Sequence, residues 1–161
     1  MPLLSLSLLF AAPALMPSPP ACQPARLRLS TDAADGDFNG MSHSGVRLRI
    51  VNNGPTCLLP ALPQVTLRDA HGRPLPAQRR APPGMHPGPV MLPHPLAAGQ
   101  SAMIDLRWVS GPVFPASRSL HAAQVSVLVG KGMLRAPLKA VLYGPAGQTV
   151  TFDQSTATTR G

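Results

Sequence analysis

The chain has 161 residues, among them 21 Pro and 14 Gly, and a net charge of +8. That length suits one domain with short extensions. Pro and Gly resist helix interiors, Glu is absent and Lys occurs only at Lys131 and Lys139, which speaks against a helical bundle. With 44% hydrophobic and 12% charged residues, the composition also speaks against disorder and leaves a loop-rich β domain.

Residues 3–15 form an apolar run of signal-peptide length, too short to span a bilayer as a stable helix. Ala11, Ala12, Ala14 and Ala21 follow or close it, although no Lys or Arg precedes it. Residues 1–21 are read as an export signal, with cleavage between Ala12 and Ala21. No later stretch reaches membrane-spanning length, so no integral span is expected in the mature chain. The expected compartment is periplasmic or extracellular. Two cysteines in an exported chain point to one disulfide, Cys22 to Cys57. Closing that loop is worth about 3.8 kcal/mol in the chain-entropy model.

Arg26-Leu27-Arg28-Leu29-Ser30 alternates polar and apolar residues, as does Val46-Arg47-Leu48-Arg49-Ile50, with Val46, Leu48 and Ile50 facing inward. Asn52-Asn53-Gly54-Pro55 turns the chain after it. Gln64 to Arg68 is the next strand, closed by Asp69-Ala70-His71-Gly72. Residues 74–99 carry eight prolines and no clean period, and read as a long extended loop with an edge strand near Val90 to Leu92. Ala102 to Trp108 alternates best, placing Ala102, Ile104, Leu106 and the only Trp on one face. Gln124 to Val129, Pro137 to Tyr143 and Gln148 to Asp153 supply three more strands. The expectation is an all-β, Ig-like antiparallel β-sandwich of about seven to eight strands over residues 22–153, with a frayed polar tail at 154–161.

Three segments carry a family resemblance: Leu48-Arg49-Ile50-Val51-Asn52-Asn53-Gly54; Cys57 to Pro63 running into Val65-Thr66-Leu67-Arg68-Asp69; and Leu96 to Ala102 leading to Trp108. With Cys22 just ahead of the first strand, the chain resembles the bacterial secreted domain of unknown function 4232. It departs from the pattern at Ala61-Leu62 and lacks the later cysteines of many members. The resemblance implies an exported β-sandwich with no agreed activity, and carries over no catalytic residues.

Asp35-Gly36-Asp37-Phe38-Asn39-Gly40 matches the first six positions of a calcium loop, where oxygen ligands at alternate positions converge on one cation. The twelfth position is Val46 rather than a bidentate Glu, so a polar turn is the plainer reading. His43, His86, Met91 and His94 offer imidazole and thioether ligands suited to copper in an exported protein, at spacings that match no named motif. These two sets define the alternative, a periplasmic metal-binding protein.

Catalytic constellations are thin. Gly40-Met41-Ser42-His43-Ser44-Gly45 is not a nucleophile elbow, and six Asp with three in one short stretch make poor glycosidase pairs. The expectation is no enzyme and no cofactor. Arg47, Arg49, Arg68, Arg79, Arg80 and Arg107 would project from outer strand faces or the proline-rich loop, a surface for an anionic envelope component or another envelope protein. Aromatics at 4% and the absence of a recognition motif speak against nucleic acid. The expected function is thus an uncharacterised exported non-catalytic binding or structural module of the cell envelope.

Overall fold

A computed structural model of the chain describes residues 17–34, 38–81 and 90–160. The apolar run expected as the core of an export signal lies wholly outside the described residues. After one 3-10 turn at Pro24–Arg26, the strands are β1 Leu27–Asp32, β2 His43–Asn52, β3 Cys57–Leu59, β4 Val65–Arg68, β5 Ala77–Arg79 and β6 His94–Leu96. They continue as β7 Ser101–Val109, β8 Ser117–Val129, β9 Gly132–Pro145, β10 Val150–Gln154 and β11 Thr158–Arg160. The chain is all-β. The described strands outnumber the seven or eight expected because β3, β5, β6 and β11 are three residues each, too short to display a period.

One sheet has the order β1-β2-β7-β10-β5, with β11 also on β7. Its pairs are antiparallel except β10 with β5. The second sheet has the order β4-β8-β9, and β3 with β6 forms a separate ribbon. Alternation decides which faces meet. Val46, Leu48 and Ile50 of β2 and Ala102, Ile104, Leu106 and Trp108 of β7 are buried, as are Val125, Val127 and Val129 of β8 and Leu134, Ala136, Leu138, Ala140 and Leu142 of β9. These residues form one core between the two sheets, with Phe152 of β10 wholly enclosed in it. Burying a side chain of that size contributes about 1.5–3 kcal/mol.

The long β8–β9 hairpin turns at Gly130 and Lys131, where Gly130 adopts φ +57° and allows a two-residue connection between Val129 and Gly132. Its register shifts between Ala122 and Gln124. The buried positions of β8 therefore pass from Ala122 to Val125 rather than to residue 124. That slip hides the first half of β8 from an alternation search.

Two sequence expectations are corrected. Val90 to Leu92 is not an edge strand: Val90 and Leu92 are 89% and 72% exposed, and the strand starts at His94, where Leu96 is fully buried against the ribbon. The C-terminal residues are not frayed. β10 pairs only with Leu106 to Trp108 of β7, leaving Ser101 to Met103 an open edge that β11 fills through Thr158 to Arg160. Ala157 is buried, and its N–H donates to the Ala61 carbonyl at 2.7 Å. Unpaired backbone groups of a buried strand are costly, so the tail is held by the pairing it supplies.

Pairing also begins before Cys22. The Leu58 N–H donates to the Pro20 carbonyl at 2.8 Å and the Cys22 N–H to the Leu58 carbonyl at 2.9 Å, so β3 carries a partner on both edges.

Candidate anion-binding surface

The two sheets differ in charge. The strands of the larger sheet bear Arg28, Arg47, Arg49, Arg79, Arg107 and Arg160 together with Asp32, Asp105 and Asp153. The strands of the smaller sheet bear Arg68, Arg118, Arg135 and Lys139 and no carboxylate. Lys131 adds a further cation in the hairpin turn.

On the larger sheet part of the charge is cancelled internally. Arg47 lies opposite Asp105 and grips it with two bonds, Nε to Oδ1 at 2.7 Å and a second guanidinium nitrogen to Oδ2 at 3.1 Å. The same guanidinium sits 5.6 Å from the centre of the Phe38 ring. Arg80 approaches Asp153 at 3.5 Å. Arg49 donates to Ser101 Oγ at 3.1 Å and keeps its charge, and Arg107 is exposed between Gly45 and Asp153 in the pairing.

On the smaller sheet, among the described residues, Arg68 meets only neutral acceptors. Arg68 Nε donates to Ser126 Oγ at 2.9 Å, and another of its nitrogens donates to the Gly72 carbonyl at 2.8 Å. Ser126 lies opposite both Thr66 and Arg135, so the Arg68 guanidinium reaches the strand beside Arg135. Arg135 and Lys139 are exposed at alternate positions of β9, with buried Ala136, Leu138 and Ala140 between and beyond them. A shallow hollow of about 410 Å³ opens beside Arg135, floored by Ala123, Gln124, Ala136 and Pro137. Asp69, the carboxylate that follows β4, is occupied by Arg73 at 2.9 Å. Hydrogen bonds to hydroxyls and carbonyls leave a guanidinium charge uncancelled, so this face keeps a positive potential.

The six arginines singled out from sequence therefore do not form one surface. Arg47, Arg49 and Arg107 belong to the larger sheet, Arg68 to the smaller, Arg79 to the edge strand β5, and Arg80 lies beside Asp153. Arg118 and Arg135 lie in the first halves of β8 and β9, which carry no clean strand pattern, whereas Lys139 lies inside the legible strand Pro137 to Tyr143 and is one cation more on the same face. A signal was present: the chain carries no carboxylate between Asp105 and Asp153.

The metal candidates are dispersed. Asp35, Asp37 and His86 lie outside the described residues. Asn39 Oδ1 accepts the Ser44 hydroxyl at 2.9 Å, and Val46, the twelfth position of the calcium pattern, is buried in the core. His43 opens β2, and its Nδ1 donates to the Met41 carbonyl at 3.0 Å. His94 lies on the ribbon, two residues from Leu96, whose carbonyl is held by Asn52 at the far end of β2. Nine residue steps of strand separate His43 from Asn52, about 30 Å. His43 and His94 thus do not share a site, and Met91 is 44% exposed ahead of β6. Among the described residues no three His, Cys, Asp or Glu side chains gather as a metal site.

Cys22 and Cys57 are joined in a disulfide, buried at the end of the sandwich with 4.8 Å between their Cα atoms. No described helix is long and apolar enough to cross a membrane. Residues 22–160 match the family model described as a domain of unknown function (DUF4232). Neither a curated protein nor a solved structure matches the chain.

Proposed function

We propose, for a chain that belongs to the DUF4232 family of domains of unknown function, an exported non-catalytic binding module of the cell envelope whose smaller sheet contacts an anionic polymer. The observation that carries this reading is the carboxylate-free face of β4, β8 and β9, with Arg68, Arg135 and Lys139 uncancelled on it. Export is supported by the disulfide, since such bonds persist in oxidising compartments, and by the apolar run at residues 3–15. Two packed sheets give a stiff platform, and long-range attraction between a basic platform and a polyanion speeds encounter and weakens with salt.

The test is retention of the disulfide-bonded protein on immobilised polygalacturonate, with neutral dextran as control. Salt-sensitive retention on polygalacturonate alone is expected. Arg135→Glu with Lys139→Glu should abolish it, whereas Arg28→Glu with Arg107→Glu should only weaken it. Retention that survives the first pair and is lost with the second, or equal retention on dextran, would refute the assignment to the smaller sheet.

A further inference from the structure

At the margin where β1 and β2 face β9, the sheets part to leave a cleft of about 520 Å³. Trp108, Val46 and Leu138 are the buried side chains of its lining, and Thr31, Asn39, Ser44 and Lys139 are its polar ones. Among the described residues no carboxylate lines it. Lys139 belongs to the exposed row of β9 that also bears Arg135, so the cleft continues into the basic face.

The polar groups are arranged with donors to spare. The Ser44 hydroxyl donates to Asn39 Oδ1 at 2.9 Å, which leaves the Asn39 Nδ2 hydrogens directed elsewhere. The Thr31 hydroxyl donates to the Pro137 carbonyl at 3.0 Å and bridges the two sheets beside the cleft. Among the described residues the Trp108 indole N–H has no hydrogen-bond partner, and no fully buried side-chain nitrogen or oxygen lacks one. The indole N–H therefore meets solvent, and the cleft is the opening that Trp108 lines. An indole, a carboxamide and an ammonium group together offer an apolar wall, neutral donors and one positive charge, in a space of ordinary ligand-site size.

We infer that this cleft binds an acidic sugar: one hydroxyl-rich, carboxylate-bearing unit of the anionic polymer, with hydroxyls on the indole N–H edge of Trp108 and on Asn39, and its carboxylate on Lys139. The inference rests on the reading of the smaller sheet as the polymer-binding face, and names the chemistry of what that polymer presents.

Trp108 is the only Trp in the chain, so its emission reports on the cleft it lines and on the core it packs into. Trigalacturonate should change that emission saturably in the disulfide-bonded protein, and neutral maltotriose should not. Asn39→Ala, at an exposed position, should leave the thermal melt unchanged and weaken trigalacturonate binding about tenfold, the loss expected of one polar contact to a charged or hydroxyl-rich ligand. Trp108→Phe, which deletes the donor and also shrinks a buried ring, should lower the melting temperature and, in the folded protein, weaken binding similarly by calorimetry. Retention on polygalacturonate without an emission change, or unaltered affinity in Asn39→Ala, would overturn the cleft while sparing the sheet. An equal response to maltotriose would overturn the acidic specificity. Absence of any binding to polygalacturonate would overturn both readings.

Discussion

Asn52 Nδ2 donates to the Leu96 carbonyl at 2.9 Å, and this bond ties the last residue of β2 to the ribbon that closes one end of the sandwich. The same nitrogen serves the Pro55 and Ala97 carbonyls, while Oδ1 accepts the Gly54 N–H. Asn52 is wholly buried. One carboxamide thus replaces the ladder that stops where β2 stops, and the Gly99 N–H completes the junction by donating to the Asn52 carbonyl at 2.7 Å.

Asn52→Ala should therefore destabilise the fold by about 2–4 kcal/mol, because it leaves carbonyls in the interior without donors. Urea unfolding measures this. A loss below about 0.5 kcal/mol would show that water reaches the junction and replaces the amide.

The Cys22–Cys57 bond closes a loop with a sequence separation of 35 and pins Pro20 to Cys22 beside β3. Cys22→Ala with Cys57→Ala should lower stability by about 4 kcal/mol, with a matching loss in the parent on reduction. Hydrogen exchange should show the Leu58 amide, which donates to the Pro20 carbonyl, losing protection ahead of the Leu48 and Ile104 amides.

Gly45 has no room for a side chain. A Cβ there would collide with the Leu106 carbonyl oxygen and would lie 2.8 Å from Phe38 side-chain atoms. Gly45→Ala should cost about 1–3 kcal/mol, since a backbone carbonyl cannot swing aside as a flexible side chain can. Gly40→Ala, where nothing lies within 4 Å of the added atom, is the matched control and should melt within a degree or two of the parent.

Asp69 holds its carboxyl below the ordinary carboxylate range. The Arg73 backbone N–H donating to it is the largest cause, and the Arg73 side chain and His71 N–H act in the same direction, so its pKa lies below 3.8 despite partial desolvation. A folded value below the unfolded one gives stability that is present above the usual carboxylate range and is lost as pH falls through the folded value. Carboxyl-carbon NMR should give Asp69 a midpoint below 3.8, and Asp69→Asn should flatten the acid side of the stability profile. A midpoint at or above 3.8 would mean that the turn is open in solution.

Much of the fold was legible because two strands are long and regular. Val46, Leu48 and Ile50, and Ala102 to Trp108, repeat every second residue, and burial of one face of a sheet requires that period. The paired cysteines and the turn at Asn52-Asn53-Gly54 were legible for similar local reasons. β8 was half visible, since the slip near Ala123 shifts its buried positions by one. β11 was invisible, since Thr158 to Arg160 carries no pattern and is ordered only by the edge of β7 that β10 leaves open.

The sequence by itself determined the class, the inward faces of the main strands, the disulfide and the excess of arginine, because each depends on residue type or on a period of two. Only the tertiary structure decided which charges cancel. Arg47 and Asp105 are 58 residues apart and become partners through the β2–β7 register, whereas Arg68 and Arg135 come onto one carboxylate-free face through β8. The cleft at Trp108 was decided in the same way, since its walls come from β1, β2, β7 and β9 and exist only where the two sheets part. Pair energies depend on distance through space, and strand register sets that distance between residues the chain keeps far apart.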